Sequence, residues 1–486
     1  MTFVSELQPA VIWAFFDELL AIPRGSKKED KAREYVISVA ERFDLEYQVD
    51  GTGNVVVRKP ANGGAESDQP TVLQAHLDMV QEKNSDVEFD FDNDAIRPVL
   101  DGEYLKADGT TLGSDNGIGV ATMLALMESD DLVHGPLEFL FTIDEETGLT
   151  GASGLADGML AGRRLINLDS EEERVLTIGC AGGADSHIHV ATERSAVSDG
   201  SAAIGIRLAG LKGGHSGVDI HLQRGNAIKL LSRALHAVAL EEPIRIADLA
   251  GGNAHNAIPR EARAVILVPA GDGIPESVKQ RLSEELEAMA AEIRSADPGM
   301  SFEVSDEEVP SDALTETASR SLLSLVIALP HGVMAMSPEI PGLVETSTNL
   351  AVVRGETGRT FVLMSSRSSV MSALQALRQR IRSTADLAGA DVEEKDGYPA
   401  WQPDVRSPLL KVLRDVHQRI AGEAEIGAVH AGLECGIIGE KYPEMDMISF
   451  GPQIDFPHSP DERVKVASVN EFYEVLTATL EELARR

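Results

Sequence analysis

Cysteine is almost missing from this chain of 486 residues: only Cys180 and Cys435 occur, far apart and in no metal-ligand spacing. That excludes a disulfide framework and a thiolate zinc site, and it fits a reducing compartment. Basic residues are scarce beside acidic ones, 43 Lys and Arg against 79 Asp and Glu, for a formal net charge of -36. Such a field repels a phosphate backbone and an anionic bilayer, so neither nucleic acid nor membrane is an expected partner. No run is long and apolar enough to span a bilayer. The opening MTFVSELQPAVIWAFFDELL has no basic leading region and carries Glu6, Asp17 and Glu18, unlike a signal peptide. It reads as one amphipathic helix, and the expected location is cytoplasmic. Low-complexity linkers are also missing; NGGAESDQP at 62–70 reads as a surface loop.

What is present predicts two or three folded domains, since the chain is too long for one ordinary core. A hydrophobic fraction of 43% and a charged fraction of 25% are those of a globular protein. Residues 6–185 alternate helix and short apolar strand, the texture of an α/β layer with a mostly parallel sheet flanked by helices. TVLQA (71–75), LEFLFTI (137–143) and RLINL (164–168) are apolar runs bounded by polar residues, as doubly buried strands are. Between 186 and 399 longer strands such as IGIRLAGL and RAVILVPA alternate with helices expected near 224–240, 275–295, 316–329 and 370–388. This reads as an inserted α+β domain, with a degenerate duplication over 200–295 and 300–396. From 400 to 486 the α/β texture returns with helices near 406–420 and 468–485, so one discontinuous domain is built from 1–185 and 400–486.

Each early strand ends at an acidic or histidine cluster, and ligands of open α/β sheets bind beyond the carboxyl ends of strands. His76 and Asp78 follow the first strand and point to one side, so one can ligate a metal while the other steers it; a structural histidine is the alternative. GSDNGIG (113–119) places Asp115 at the start of an apolar helix, where it can bridge two cations or serve as an N-cap. Asp144, Glu145 and Glu146 follow LEFLFTI, either as a solvated acidic loop or as a ligand beside a proton acceptor. Asp169, with Ser170 and Glu171, follows RLINL, and His458 stands in the late SFGPQIDFPHSPDE. Oxygen and imidazole donors without thiolate suit zinc, cobalt or manganese.

Taken in order, HLDMV (76–80), SDNGIG (114–119), DEETG (144–148), NLDSE (167–171), KGGHSG (212–217), NAIPREA (256–262), HAGLECG (430–436) and HSPDE (458–462) resemble the dinuclear zinc aminoacylase and dipeptidase family over nearly the whole chain. The resemblance implies a dipeptidase acting on dipeptides, Xaa-His among them, or, in an alternative reading, an N-acyl amino acid hydrolase. It implies two divalent ions, zinc first and cobalt or manganese as substitutes: His76, Asp115 and Asp169 hold one, and Asp115, Glu146 and His458 the other. Glu145 is then the general base and Asp78 the residue that orients His76. The peptide after Asp115 is expected to be cis. Two such ions, roughly 3.5–4 Å apart, polarise a scissile carbonyl and acidify the water between them. The insert is expected to be a lid that supplies substrate contacts and possible homodimer contacts. Those contacts are His215 for the oxyanion, from its own subunit or across a dimer, Asn256 for polar groups, Arg367 for the C-terminal carboxylate, Gly432 for close backbone approach and Glu434 for the free amine. Where an arginine or similar residue is expected before Asn256, the chain reads Asn253-Ala254-His255, which puts local specificity in doubt.

Overall fold

The computed structural model describes residues 2–65, 69–271 and 273–486; the centre of the expected 62–70 loop therefore lies outside the described residues. The chain divides into two compact units, one of Met1–Cys180, Trp401–Ala428 and Leu433–Arg486, the other of Ala181–Ala400 and Val429–Gly432.

In the first unit the apolar runs become the centre of an eight-stranded sheet, in the order Leu137–Thr142, Thr71–His76, Arg164–Asn167, Asp446–Ser449. These four strands are mutually parallel. Every residue of Thr71–His76 and Leu137–Thr142 is buried, as helix cover on both faces requires. Around this parallel centre the sheet is mixed, since Val55–Lys59 and Val175–Cys180 join it antiparallel. Short turns, such as the one between Glu46–Val49 and Val55–Lys59, allow only antiparallel neighbours, whereas parallel ones need a crossover. Register aligns the strand ends: His76 pairs with Thr142, Gln74 with Asn167, and Ser449 with Asn167. The Ser114–Glu128 helix is buried from Ser114 through Met127, as its all-round apolar sequence demands. The amino-terminal reading divides: a 3-10 turn at Phe3–Glu6 precedes the Ala10–Leu19 helix, and Pro9, which has no N–H to give a continuing helix, marks the break.

The second unit holds a nine-stranded sheet whose recorded pairings are antiparallel. The expected helices are Ala227–Ala239, Ile274–Ile293, Glu316–Ala328 and Met371–Leu387. Their apolar stripes, including Leu231, Leu235, Leu282, Leu323 and Ile381, pack on Ile188, Leu350, Val362 and Met364 of one sheet face. Strand alternation then turns Ser347, Asn349 and Arg367 to the other face.

Candidate metal centre

Within the first unit, residues from five chain segments converge at the strand ends. His76 closes its strand, and its Nε2 lies 3.1 Å from Asp115 Oδ1 and 3.3 Å from Asp169 Oδ1. Asp78 Oδ1 stands 3.3 Å from the other ring nitrogen. On the far side of Asp115, Oδ2 is 3.2 Å from His458 Nε2, which is 2.9 Å from Glu146 Oε2. Two groups of ligand atoms result, His76/Asp115/Asp169 and Asp115/Glu146/His458, each with all atoms within 4.8 Å, and Asp115 belongs to both.

Local structure explains the convergence. Gly113 takes φ 73 and a Cβ there would meet Arg24 Nη2 at 2.5 Å, so glycine is required where the loop turns into the helix. The Asp115–Asn116 peptide is cis, and Asn116 Nδ2 donates to Leu168 O at 2.8 Å and to Asp169. Asp78 does more than face His76: its oxygens accept the N–H groups of Glu145 and Glu146 at 3.1 and 3.2 Å and the Ser26 hydroxyl at 2.8 Å.

Charge is out of balance here. The buried Arg24 guanidinium donates to the carbonyls of Leu77, Asp78 and Gly113 rather than to a carboxylate. Burial opposes a charged His76 ring, yet Asp169, Asp115 and Asp78 outweigh it and hold the ring well above its ordinary value. Asp78 is lowered to about 2, because its partners, His76 first, overcome burial. Burial and like charge push Asp169 up to about 6 and Glu171 up to about 9. Glu145 is also raised well above the carboxylate range, burial again leading. Glu146 Oε1 is buried without a partner. Divalent cations would neutralise this excess, and the oxygen and imidazole donors fit zinc, cobalt or manganese.

Glu145 falls in a third ligand-like group, with His76 and Glu146; adjacency in sequence does not by itself separate base from ligand. Glu434 opens a short helix and is wholly buried, its Oε2 accepting from Gln74 Nε2 at 2.6 Å and Thr142 Oγ1 at 2.7 Å, while Oε1 has no partner. Burial raises it to about 7.

The sequence reading left two nearby carboxylates without a role. Glu171, two places after Asp169, is held above the ordinary carboxylate range by burial first and then by the charges of Asp115 and Asp169. Glu462, in HSPDE, is buried and accepts from the N–H groups of Leu112, Gly113, Ser114 and Asp115 and from the Ser114 hydroxyl. An acidic residue four places after His458 was the available signal.

The second unit gathers the remaining candidates. His215 bridges to Ala257, and its Nδ1 accepts from the N–H groups of Gly217 and Val218. Burial, then Arg367, lowers it to about 4. A cavity of about 700 Å³ is lined by His215, Asn253 and Asn256. His255, where the motif departs from expectation, lies 3.4 Å from Asp185. Arg367 is 7% exposed and donates to Tyr398 Oη at 2.7 Å. A Cβ on Gly432 would lie 2.8 Å from the Tyr398 ring, so that ring is what the glycine's bare backbone meets in this structure.

The model of peptidase family M20/M25/M40 matches residues 72–482. The chain belongs to this family. A member of M20/M25/M40 is a hydrolase acting on peptide bonds. The chain is 41% identical over 484 residues to the cytosol non-specific dipeptidase of Escherichia coli, covering 99% of both. Among solved structures it is similar to the aminoacylhistidine dipeptidase of Vibrio alginolyticus, with TM-score 0.91 and 41% identity over 99% of this chain and 98% of that one. Aminopeptidase PepT of Bacillus cereus, at TM-score 0.58 and 16% identity over 99% and 100%, shares the fold.

Proposed function

We propose that this M20/M25/M40 member is a metal-dependent dipeptidase, acting on dipeptides that include Xaa-His, with two divalent ions held by His76, Asp115 and Asp169 and by Asp115, Glu146 and His458. The sharing of Asp115 by both ligand groups carries the reading. The two relatives at 41% identity named above are dipeptidases, which supports it and gives no support to the N-acyl amino acid hydrolase alternative. The E. coli relative's description also supports a cytosolic location; among the described residues no helix is long and apolar enough to cross a membrane.

When bound, two such ions polarise the scissile carbonyl and lower the pKa of water. The rest falls to side chains. Asp78 fixes the His76 ring and, through two N–H groups, the segment that carries Glu145 and Glu146. Glu145, as general base, takes a proton from the attacking water and delivers it to the departing amine. The unpartnered Oε1 of Glu434 is available to the substrate's free amine. In the second unit Arg367 matches the C-terminal carboxylate with a planar fork, and His215 and Asn256 serve the oxyanion and polar groups. His215 donates from Nε2, because Nδ1 is occupied as an acceptor. The test compares amino acid release from Ala-His and from N-acetyl amino acids by purified, metal-loaded protein. Cleavage of Ala-His is expected; cleavage of the acetylated compounds alone overturns the reading.

A further inference from the structure

Gly183, Arg367 and Ser347 are neighbours in register across three strands of the second unit, so their side-chain positions share one face. Gly183 leaves its position empty, and the Tyr398 ring fills it: a Cβ on Gly183 would lie 2.5 Å from Tyr398 Oη. Gly432 bounds the ring too, at 2.8 Å. The backbone locks the tyrosine further, since Tyr398 and Gly183 exchange two N–H bonds at 2.9 and 3.1 Å.

A ring so held presents its hydroxyl oxygen at a fixed point, where it accepts from Arg367 Nη1 at 2.7 Å. The guanidinium is rigid and planar, so fixing one Nη aims its other donors. One of them, Nε, is buried without a partner. Ser347 Oγ is engaged by His430 Nε2 at 2.7 Å and does not compete for the arginine. His430 and His215 are lowered to about 3 and about 4, burial leading in both, so of these three groups Arg367 carries the charge. A carboxylate in place of Tyr398 would also hold the arginine but would cancel that charge. A neutral phenol holds it and leaves the charge for a ligand.

We propose that Tyr398 is a positioning residue for Arg367, fixing the guanidinium fork so that peptides ending in a free carboxylate are selected. This rests on the reading of Arg367 given above. The kcat/KM of a dipeptide and of its C-terminal amide is measured for the metal-loaded wild type, Tyr398→Phe, Arg367→Ala and the double variant. Tyr398→Phe keeps the ring between its glycines and removes only the hydroxyl. It is expected to lower the acid-to-amide ratio about 10-fold, the scale of one hydrogen bond to a charged group, through KM. In the Arg367→Ala background the same change is expected to leave the ratio where Arg367→Ala put it. An unchanged ratio in Tyr398→Phe, or equal losses on both substrates, overturns the positioning role while the Arg367→Ala ratio still stands. An Arg367→Ala ratio equal to wild type removes the carboxylate reading itself.

Discussion

Glu462 accepts two hydrogen bonds from Ser114, from its N–H at 2.7 Å and its hydroxyl at 2.6 Å, across 348 residues of sequence. The same carboxylate takes the N–H groups of Leu112, Gly113 and Asp115. A buried carboxylate thus caps the turn that sets the direction of Asp115, and it belongs to neither proposed ligand group. Glu462→Gln places an amide N–H among those donors and strands several of them. It is expected to lower the melting temperature and to weaken metal binding by about 10- to 100-fold, as loss of a residue supporting a ligand does. Metal titration of the dialysed variant measures this; unchanged affinity removes Glu462 from the support of Asp115.

Metal removal is the second prediction. Chelation is expected to abolish peptide hydrolysis, and zinc, cobalt or manganese to restore it, because the donors are oxygen and imidazole alone. Metal content and rate are followed together in one titration. Full activity in metal-free protein would sink the two-ion mechanism.

Glu145 and Glu146 are both near His76, so their roles must be separated by experiment. Glu145→Gln is expected to keep both ions and to lose turnover by roughly 100-fold or more, the usual worth of a general base. Glu146→Gln is expected to lose an ion. The opposite pattern of metal content exchanges the two assignments.

Gly119 gives a prediction whose sign is decided by packing. Glycine to alanine within a helix ordinarily gains about 1 kcal/mol. Here the new Cβ would meet Asn116 Oδ1 at 2.2 Å and the carbonyl of Leu168 at 2.9 Å. Overpacking of this kind costs about 1–3 kcal/mol, so Gly119→Ala is expected to unfold at lower denaturant concentration than wild type. A higher midpoint would show that Asn116 can move aside.

The central strands were legible because TVLQA, LEFLFTI and RLINL are short, apolar and bounded, and the residues just beyond them meet in space as parallel strand ends must. The antiparallel flanks were less so, since VVVRK looks like any buried strand and carries no mark of its direction against Leu137–Thr142. Glu462 was hidden because its value lies in converging backbone N–H groups, which leave no side-chain pattern. Tyr398 was hidden for a similar reason: the space it fills is made by two glycines, Gly183 and Gly432, distant in sequence. The 429–432 segment reads as part of the closing α/β stretch, yet it belongs with the second unit.

The first unit is completed only by the last part of the chain, which has a consequence for synthesis from the amino terminus. A ribosome has released Asp115 and Asp169 long before it reaches the Asp446–Ser449 strand and His458. At about 5–20 residues per second that interval is roughly 15–60 s. Throughout it the nascent chain has an open sheet edge beside Arg164–Asn167 and every proposed metal ligand except His458. On the proposed ligand set, a chain stalled before His458 is expected to lack the second ion's imidazole, and so to be no premature peptidase.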